Sequence, residues 1–245
     1  MSNYLYGMHP VIEAIETGRK FEKILLKQGL EGPQFRTLMD LINQNDIPYQ
    51  FVPYEKLNSL VRGSHQGVIG YLPEIDYVPY EEMIELALSR KAAPLFVMLD
   101  GVSDVRNFGA IARSAECAGA DGLILPAKGG AAINADAIKA SAGALLRIPT
   151  AKVTNLKLPI YYLVDAGFQI IGATEKSDNY MYDINFRKPT VIVMGSEGHG
   201  ISNSVMNLCT DFAKIPMAGE IGSLNVANAA SIVMYEAVRQ RMKID

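Results

Sequence analysis

The chain reads IPMAGEIGSLNVAN over residues 215–228, and its pattern predicts a helix from Asn225 to Arg241. Two earlier stretches have the same character: DGVSDVRNFGAIARS over 100–114, and MGSEGHG over 194–200. In all three, glycine and polar residues begin where an apolar run typical of a buried strand ends. Open α/β sheets bind their ligands at this end of the strands, so the three stretches predict one shared binding site.

The segment after residue 94 alternates between strand-like and helix-like patterns. Its predicted strands are short apolar runs, at 95–99, 122–125, 170–173 and 191–194. Its predicted helices have apolar residues at helical spacing, and they comprise one that ends at Gly119 and three more at 135–146, 158–166 and 225–241. This alternation predicts an α/β fold in which helices cover both faces of a parallel sheet.

Residues 1–72 are predicted to form a separate small α/β domain. Apolar residues have helical spacing between 11 and 15, and Pro33 is placed to open a second helix. Strands are predicted at 21–26, 49–52 and 67–72. Residues 73–79 are polar with two prolines, which is typical of a linker. Residues 80–245 then form the predicted second domain.

The composition indicates a soluble globular protein, since 49% of the 245 residues are hydrophobic and 20% are charged. Because the sequence contains no apolar run of about 18 residues, no membrane span is expected. The beginning of the chain lacks the charged and apolar regions of a secretion signal, and two cysteines make no disulfide framework. A cytoplasmic protein is therefore predicted, in which Cys117 and Cys209 are small core residues.

The net charge of −3 does not by itself favour a nucleic-acid partner. Phosphate contacts require only a local basic patch, however. Arg106, Arg113 and Arg147 are near the predicted site. Four further cations occur early in the chain, namely Arg19, Lys20, Lys23 and Lys27. Solvated surface charge is an equally good interpretation of the first three of these.

Several other kinds of site are not supported. The glycine loop at 195–200 is not followed by Gly-Lys-Ser/Thr, so it is no P-loop, and the chain has no Gly-x-Gly-x-x-Gly dinucleotide fingerprint. His9, His65 and His199 have no metal-ligand spacing with each other or with the cysteines, so no metal is predicted. We expect His199 to face solvent, and His65 to lie in a loop where it could touch RNA.

The three motif stretches resemble the three motifs of the SPOUT class of RNA methyltransferases, and in particular those of the TrmH family. The resemblance covers nearly the whole chain. Residues 6–14, YGMHPVIEA, and 65–68, HQGV, resemble the small RNA-binding domain of the RlmB branch, which modifies a guanosine of 23S ribosomal RNA. The resemblance implies a SPOUT domain with an α/β trefoil knot, preceded by a small domain similar to ribosomal protein L30e/L7Ae.

The resemblance also implies roles for individual residues. Arg113 is the implied central catalytic residue, and Asn107 a positioning amide. Ser223 and Asn225 are placed beside the ribose 2′-hydroxyl and the methionine end of S-adenosylmethionine, and Glu197 is assigned to both catalysis and the cofactor loop. The implied cofactor-binding residues are Thr174, Gly195, Glu197, Gly200, Ile215, Met217, Ser223, Leu224 and Asn225.

Simpler roles remain open for the same residues. Asn107, Ser223 and Asn225 are residue types that cap helices, and Arg113 could form a surface ion pair. The glycine loop alone could be a strand-ending turn. Because a guanidinium stays protonated in proteins, Arg113 fits phosphate binding and stabilisation of an alkoxide better than the role of a base. Ala227 departs from the family, in which serine is common at this position.

We therefore expect a methyltransferase that uses S-adenosylmethionine to modify a ribose 2′-hydroxyl of RNA, with 23S ribosomal RNA or a ribosome-assembly intermediate as substrate. The alternatives are a transfer-RNA methyltransferase, a non-catalytic RNA-binding assembly protein of the same fold, and a Rossmann-type nucleotide-binding enzyme. The family packs its last helix across a two-fold axis. The resemblance thus implies a homodimer through residues 225–241, in which Ala229, Ala230 and Ala237 would allow close helix approach.

Overall fold

Two units, Met1–Glu74 and Ile75–Asp245, make up the chain in a computed structural model that describes residues 4–61, 63–72 and 75–242. Two residues of the predicted linker, Pro73 and Glu74, lie outside the described residues. The remaining linker residues belong to the second unit, where the Val78 amide donates a hydrogen bond of 3.0 Å to the Thr150 carbonyl.

The first unit is a four-stranded sheet with helices on both faces. Its sheet order is β1-β4-β2-β3, with β2 and β3 parallel and the other pairs antiparallel. Its elements are β1 (Tyr4–Tyr6), α1 (Met8–Glu16), β2 (Lys23–Lys27), α2 (Pro33–Gln44), β3 (Tyr49–Val52), α3 (Tyr54–Leu60) and β4 (Val68–Tyr71). Neither β1 nor α3 was predicted from the sequence.

The alternation of side chains along β2 builds two small cores in this unit. Ile24 and Leu26 are buried against α1 and α2. Leu25, between them, points to the other face and packs with Leu57 of α3 and Ile69 of β4. The first unit thus has a thick core on one face of its sheet and a thinner one under α3.

The second unit contains a six-stranded sheet in which every neighbouring pair is parallel, in the order β10-β8-β9-β5-β6-β7. The predicted parallel α/β sheet is therefore confirmed. The strands are β5 (Leu95–Asp100), β6 (Gly122–Pro126), β7 (Thr150–Val153), β8 (Gln169–Ala173), β9 (Thr190–Gly195) and β10 (Asp211–Ala213). The helices are α4 (Tyr80–Arg90), α5 (Val105–Cys117), α6 (Ala135–Ala140), α7 (Lys157–Asp165), α8 (Asn203–Met206) and α9 (Val226–Arg241).

Helices cover both faces of this sheet. On one face Val97 and Leu99 of β5 pack in a core with residues of α5 and α9. On the other face Phe96 and Met98 pack in a second core with residues of α4 and α7. The two faces alternate along a strand because successive side chains point in opposite directions. No helix in the described ranges is long and apolar enough to cross a membrane.

The small residues of α9 serve packing within the chain. Ala230 and Ala237 are fully buried, as is Val233 between them, and α9 lies against α5. The prediction that these alanines allow an approach between subunits is therefore wrong for Ala230 and Ala237.

The helix predicted at 135–146 is shorter than expected. It ends at Ala140, and Ala142 and Gly143 follow with positive φ values of 50° and 84°. A left-handed residue stops an α-helix, and a 3₁₀ turn continues over Ala144–Leu146. Gly143 is the residue of this stretch from which the end of the helix could have been predicted.

Candidate active site

The three motif stretches meet at the carboxyl-terminal edge of the six-stranded sheet. The last residues of β5 and β9, Asp100 and Gly195, are paired neighbours. Ala173 at the end of β8 pairs with Met194 on one side and Ala213 of β10 on the other. The loops that follow these four strands therefore start side by side, at the edge where parallel sheets bind ligands.

A hydrogen-bonded network joins one residue from each motif stretch. The Asn107 amide nitrogen donates to Glu197 Oε1 at 2.8 Å. The Asn225 amide nitrogen lies 2.7 Å from the same carboxylate oxygen and 2.9 Å from Asn107 Oδ1. Glu197 thus accepts hydrogen bonds from two amides that are far apart in the sequence. The structure brings these three predicted site residues together.

Of the candidate residues Asn107 and Asn225, only Asn225 caps a helix with its side chain. Asp104 caps α5, since its Oδ1 accepts from the backbone amides of Arg106 and Asn107 at 2.9 Å each. The capping alternative for Asn107 is therefore wrong. Asn225 does cap α9, with Oδ1 accepting from the Ala227 amide at 2.9 Å, while its side-chain nitrogen belongs to the network. The side chain of Asn225 thus caps a helix and joins the network at the same time.

The glycine loop is a tight turn that presents Glu197. The Ser196 and Gly200 backbones exchange hydrogen bonds of 2.9 and 3.0 Å. A Cβ on Gly195 would lie 2.1 Å from the Gly200 carbonyl carbon, so no larger residue fits there. Gly200 itself has φ +68°. The glycine loop is therefore a strand-ending turn, and it also exposes the Glu197 carboxylate.

A cleft lies beside the network, at the ends of β8, β9 and β10. Five predicted cofactor-binding residues line it: Thr174, Ile215, Met217, Ser223 and Leu224. Gly195, Glu197, Gly200 and Asn225 do not line it. Sequence reasoning missed its floor, which is made by residues inside the strand runs and on α9, namely Ala173, Met194, Ala213 and Ala229.

The loop that forms one wall of the cleft has peptide groups available for a ligand. Within the described part of the chain, residues 216–224 form no intramolecular hydrogen bond. Met217 and Leu224 are both 38% exposed, and Ser223 is exposed as well. A cleft lined by apolar and polar side chains, with backbone donors and acceptors that bond to no described residue, suits a flat, neutral base and a small number of directional contacts.

Arg113 is an exposed residue of α5. No other described residue forms a hydrogen bond or ion pair with it. The ion-pair alternative is therefore not found in the described chain. Arg113 also forms no hydrogen bond with the described side chains of Asn107, Glu197 and Asn225. Arg106 and Arg147 are exposed too.

Two residues outside the site, His65 and Cys117, differ from their predictions, whereas Cys209 packs against a core as predicted. His65 lies in a loop as predicted, but it is buried and so not open to RNA: Nδ1 accepts the Gly67 amide hydrogen at 3.0 Å, and Nε2 lies 3.0 Å from Asn58 Oδ1. Cys117 is exposed rather than in the core. Cys209 is partly buried, and burial, followed by the charge of Asp100, raises the pKa of its thiol to about 11.

Ala227 and His199 complete the set of predicted residues near the motifs. Ala227 is 5% exposed and packs in the core that contains α9, so its side chain takes no part in the network. His199 is exposed in the glycine loop. Among the described residues, no group of three or more His, Cys, Asp or Glu side chains could hold a metal ion.

Comparisons with known proteins match both units. The sequence model of the SpoU rRNA methylase family matches residues 94–235, and that of the RNA 2′-O ribose methyltransferase substrate-binding domain matches residues 4–78. A protein of Staphylococcus saprophyticus assigned to the TrmH family of tRNA/rRNA methyltransferases is 35% identical, over 97% of this chain and 95% of its own.

Two solved structures are similar to different extents of the chain. An rRNA methyltransferase of Sinorhizobium meliloti, solved with bound S-adenosylmethionine, is 26% identical with a TM-score of 0.62, over 98% of this chain and 88% of its own. The TrmH/SpoU tRNA modifying enzyme of A. aeolicus is 30% identical with a TM-score of 0.56, over 66% of this chain and 82% of its own. The chain therefore belongs to the SpoU/TrmH family of RNA 2′-O-ribose methyltransferases, which use S-adenosylmethionine as the methyl donor.

Proposed function

We propose that this protein methylates the ribose 2′-hydroxyl of a guanosine in 23S ribosomal RNA. The observation that carries the proposal is the network of Asn107, Glu197 and Asn225 beside a cleft at the carboxyl ends of β8, β9 and β10. Ribosomal RNA is favoured over transfer RNA because the similar rRNA enzyme matches almost the whole chain, whereas the similar tRNA enzyme matches only two thirds of it.

The residues of the cleft fit S-adenosylmethionine. Ile215, Met217 and Leu224 offer apolar contact and free peptide groups to the adenosine end, and Thr174 and Ser223 offer hydroxyls. Asn225 follows directly after this wall and would meet the methionine end. When bound, the cofactor would supply a methyl group that passes from its sulfonium to the ribose oxygen: the methyl–sulfur bond would break to leave S-adenosylhomocysteine, and the hydroxyl proton would pass to solvent.

The chain's own residues would orient and polarise the substrate for this attack. Glu197 and Asn107 fix the Asn225 amide in one orientation, which is how preorganised groups lower a barrier. We assign Ser223 to the ribose hydroxyl, beside Asn225. Arg113 would bind a phosphate of the RNA and favour the alkoxide by its positive charge.

We further propose that the protein acts as a homodimer through α9. On the outer side of this helix Ile232 is 37% and Tyr235 is 51% exposed, three residues apart and therefore on one face. Arg113 has no hydrogen-bond or ion-pair partner among the described residues, which suits a residue that completes the site of the other subunit. We also propose that residues 80–245 form a trefoil knot. Residues 1–72 are proposed to have a fold similar to that of ribosomal protein L30e/L7Ae.

The proposal is tested in a strain that lacks the gene. Nucleosides from separately purified 23S ribosomal RNA and transfer RNA are quantified by mass spectrometry. We expect 2′-O-methylguanosine to fall in 23S ribosomal RNA and to return with the wild-type gene but not with Arg113→Ala. If 2′-O-methylguanosine fell only in transfer RNA, transfer RNA would be the substrate instead. If its level were unchanged in both RNA pools, the non-catalytic alternative would be supported.

A further inference from the structure

A cleft in the first unit lies between α3 and the face of the sheet that α3 covers. It has a volume of about 380 Å³, within the range of about 300–1,000 Å³ typical of small-molecule sites. We call it the α3 cleft and define it by the residues that the following argument uses: Lys23, Leu25, Gln50, Val52, Lys56 and Tyr71. None of these residues belongs to the methyl-transfer site of the second unit.

The chemistry of the α3 cleft changes from its floor to its rim. Leu25 and Val52 are 3% and 4% exposed and make an apolar floor. Tyr71 supplies an aromatic wall, over which the Lys23 ammonium lies 5.5 Å from the ring centroid. A planar, partly apolar group fits against such a floor and wall.

Two lysines give the α3 cleft a positive rim. Lys23 and Lys56 are exposed, and no acidic residue is among the described residues that line the cleft. The Lys56 ammonium has no hydrogen-bond or ion-pair partner among the described residues. In a chain of net charge −3, this is a local concentration of positive charge that suits phosphate.

One neutral polar side chain completes the α3 cleft. Gln50 is exposed on β3, and its amide forms no hydrogen bond with any described residue. A glutamine amide offers both donors and an acceptor, so it can read the edge of a base. An apolar floor, an aromatic wall, two ammonium groups and a free amide together match a nucleotide.

We propose that the α3 cleft binds one unpaired nucleotide of the RNA substrate. The inference rests on the proposed function, since it needs an RNA substrate, and the match to a substrate-binding domain over residues 4–78 includes the cleft. Proteins recognise RNA sequence mainly in single strands, where bases are splayed out and can be contacted on their faces and edges. Lys23 and Lys56 contact the flanking phosphates, and Gln50 contacts the base.

The test measures binding of a short labelled single-stranded RNA to the full-length protein by fluorescence anisotropy over a range of salt concentrations. Lys56→Gln should weaken binding of every sequence and lower the slope of log affinity against log salt by about 0.7, the contribution of one phosphate contact on a single strand. Gln50→Ala should weaken binding of the preferred sequence by roughly tenfold and reduce discrimination between bases. Thermal unfolding confirms that each variant is folded.

Arg36→Gln is the matched control. Arg36 is exposed on α2, which packs on the opposite face of the sheet, and the substitution removes the same charge as Lys56→Gln. We expect wild-type affinity and slope for it. Equal losses of RNA affinity in Lys56→Gln and Arg36→Gln would overturn the proposal. Wild-type affinity in both Lys56→Gln and Gln50→Ala would overturn it as well, and would fit a cleft that binds a protein segment.

Unlabelled competitors test whether the α3 cleft binds duplex RNA or free nucleotides as well as it binds the single strand. A blunt duplex of the same sequence and free nucleoside monophosphates should both displace the labelled strand poorly. Displacement by free monophosphates at concentrations like those of the single strand would overturn the assignment to RNA. Methyl transfer by the wild-type protein is measured in parallel. If it is present while the cleft variants bind normally, only this inference fails, whereas its absence counts against the proposed function.

Discussion

Asn225 uses both ends of its side-chain amide. Its oxygen caps α9 by accepting the Ala227 amide hydrogen, and its nitrogen donates to Asn107 and Glu197. A residue that only capped the helix could be replaced by aspartate with little effect. A residue that must also donate could not.

Asn225→Asp separates these two roles. The carboxylate still caps α9, but it cannot donate to Glu197 and places a second negative charge beside it. We expect methyl transfer to fall at least about tenfold, since loss of a charge-assisted hydrogen bond costs about 1.5–3 kcal/mol. Initial rates and thermal unfolding measure the two effects. Asn207→Asp, an exposed asparagine on the segment after α8, is the control and should keep its activity. Full activity of a folded Asn225→Asp protein would remove the network from the mechanism.

Arg113 is expected to matter for RNA rather than for the cofactor. Arg113→Ala should lower methyl transfer by about a hundredfold or more, the effect of removing one group that stabilises a developing negative charge. Its affinity for S-adenosylmethionine, measured by calorimetry, should stay within a few-fold of wild type. Arg90→Ala, at the exposed end of α4, is the matched control. Near-normal turnover by Arg113→Ala would leave this arginine as an ordinary surface residue.

At the scale of elements, α5 carries Asn107 and Arg113, and Asp104 fixes where it begins. Asp104→Ala should destabilise the protein by about 1 kcal/mol through loss of the cap. For a chain of this size, that lowers Tm by about 2–4 °C per kcal/mol. Asp104→Asn keeps a capping oxygen and should melt close to wild type. If both Asp104 variants had the Tm of the wild type, the cap would contribute nothing to the stability of the protein.

The long elements of the second unit could be predicted from the sequence because their side chains repeat with a clear period. The strands at 95–100 and 190–195 contain the continuous apolar runs 95–99 and 191–194, typical of strands buried on both faces. The elements that escaped prediction are three or four residues long in most cases, too short to show a period: β1, β7, β10 and α8. The seven-residue α3 was missed as well.

The candidate site was only partly predictable. That polar residues follow the strand ends is a local property of the sequence, and it located the loops correctly. The contacts themselves join residues 90 and 118 positions apart, Asn107 to Glu197 and to Asn225, so only the fold brings them together. His65 illustrates the opposite error, because its place in a predicted loop suggested contact with RNA, while two hydrogen bonds allow its ring to be buried.

For the whole molecule, the proposed dimer depends on the outer face of α9. Val233 faces inward and is fully buried, so a charge there would unfold the chain and report nothing about association. Ile232 and Tyr235 face outward. They are the positions at which an interface can be broken without damage to the core.

Tyr235→Glu should convert the dimer into a monomer, seen as a halved mass in light scattering, and activity should fall with it. Tyr161→Glu on α7 is a matched control, because Tyr161 is 58% exposed and Tyr235 is 51% exposed. It should remain a dimer and remain active. A wild-type protein that is a monomer with full activity would contradict the proposed interface.

The most direct test of the central claim is transfer of a labelled methyl group from S-adenosylmethionine to 23S ribosomal RNA by the purified protein. The RNA is digested to nucleosides, and the labelled product is identified by mass spectrometry. We predict that the label is found on the ribose oxygen of guanosine, as 2′-O-methylguanosine. A label on a base, or no label from a folded protein that binds S-adenosylmethionine, would contradict the account.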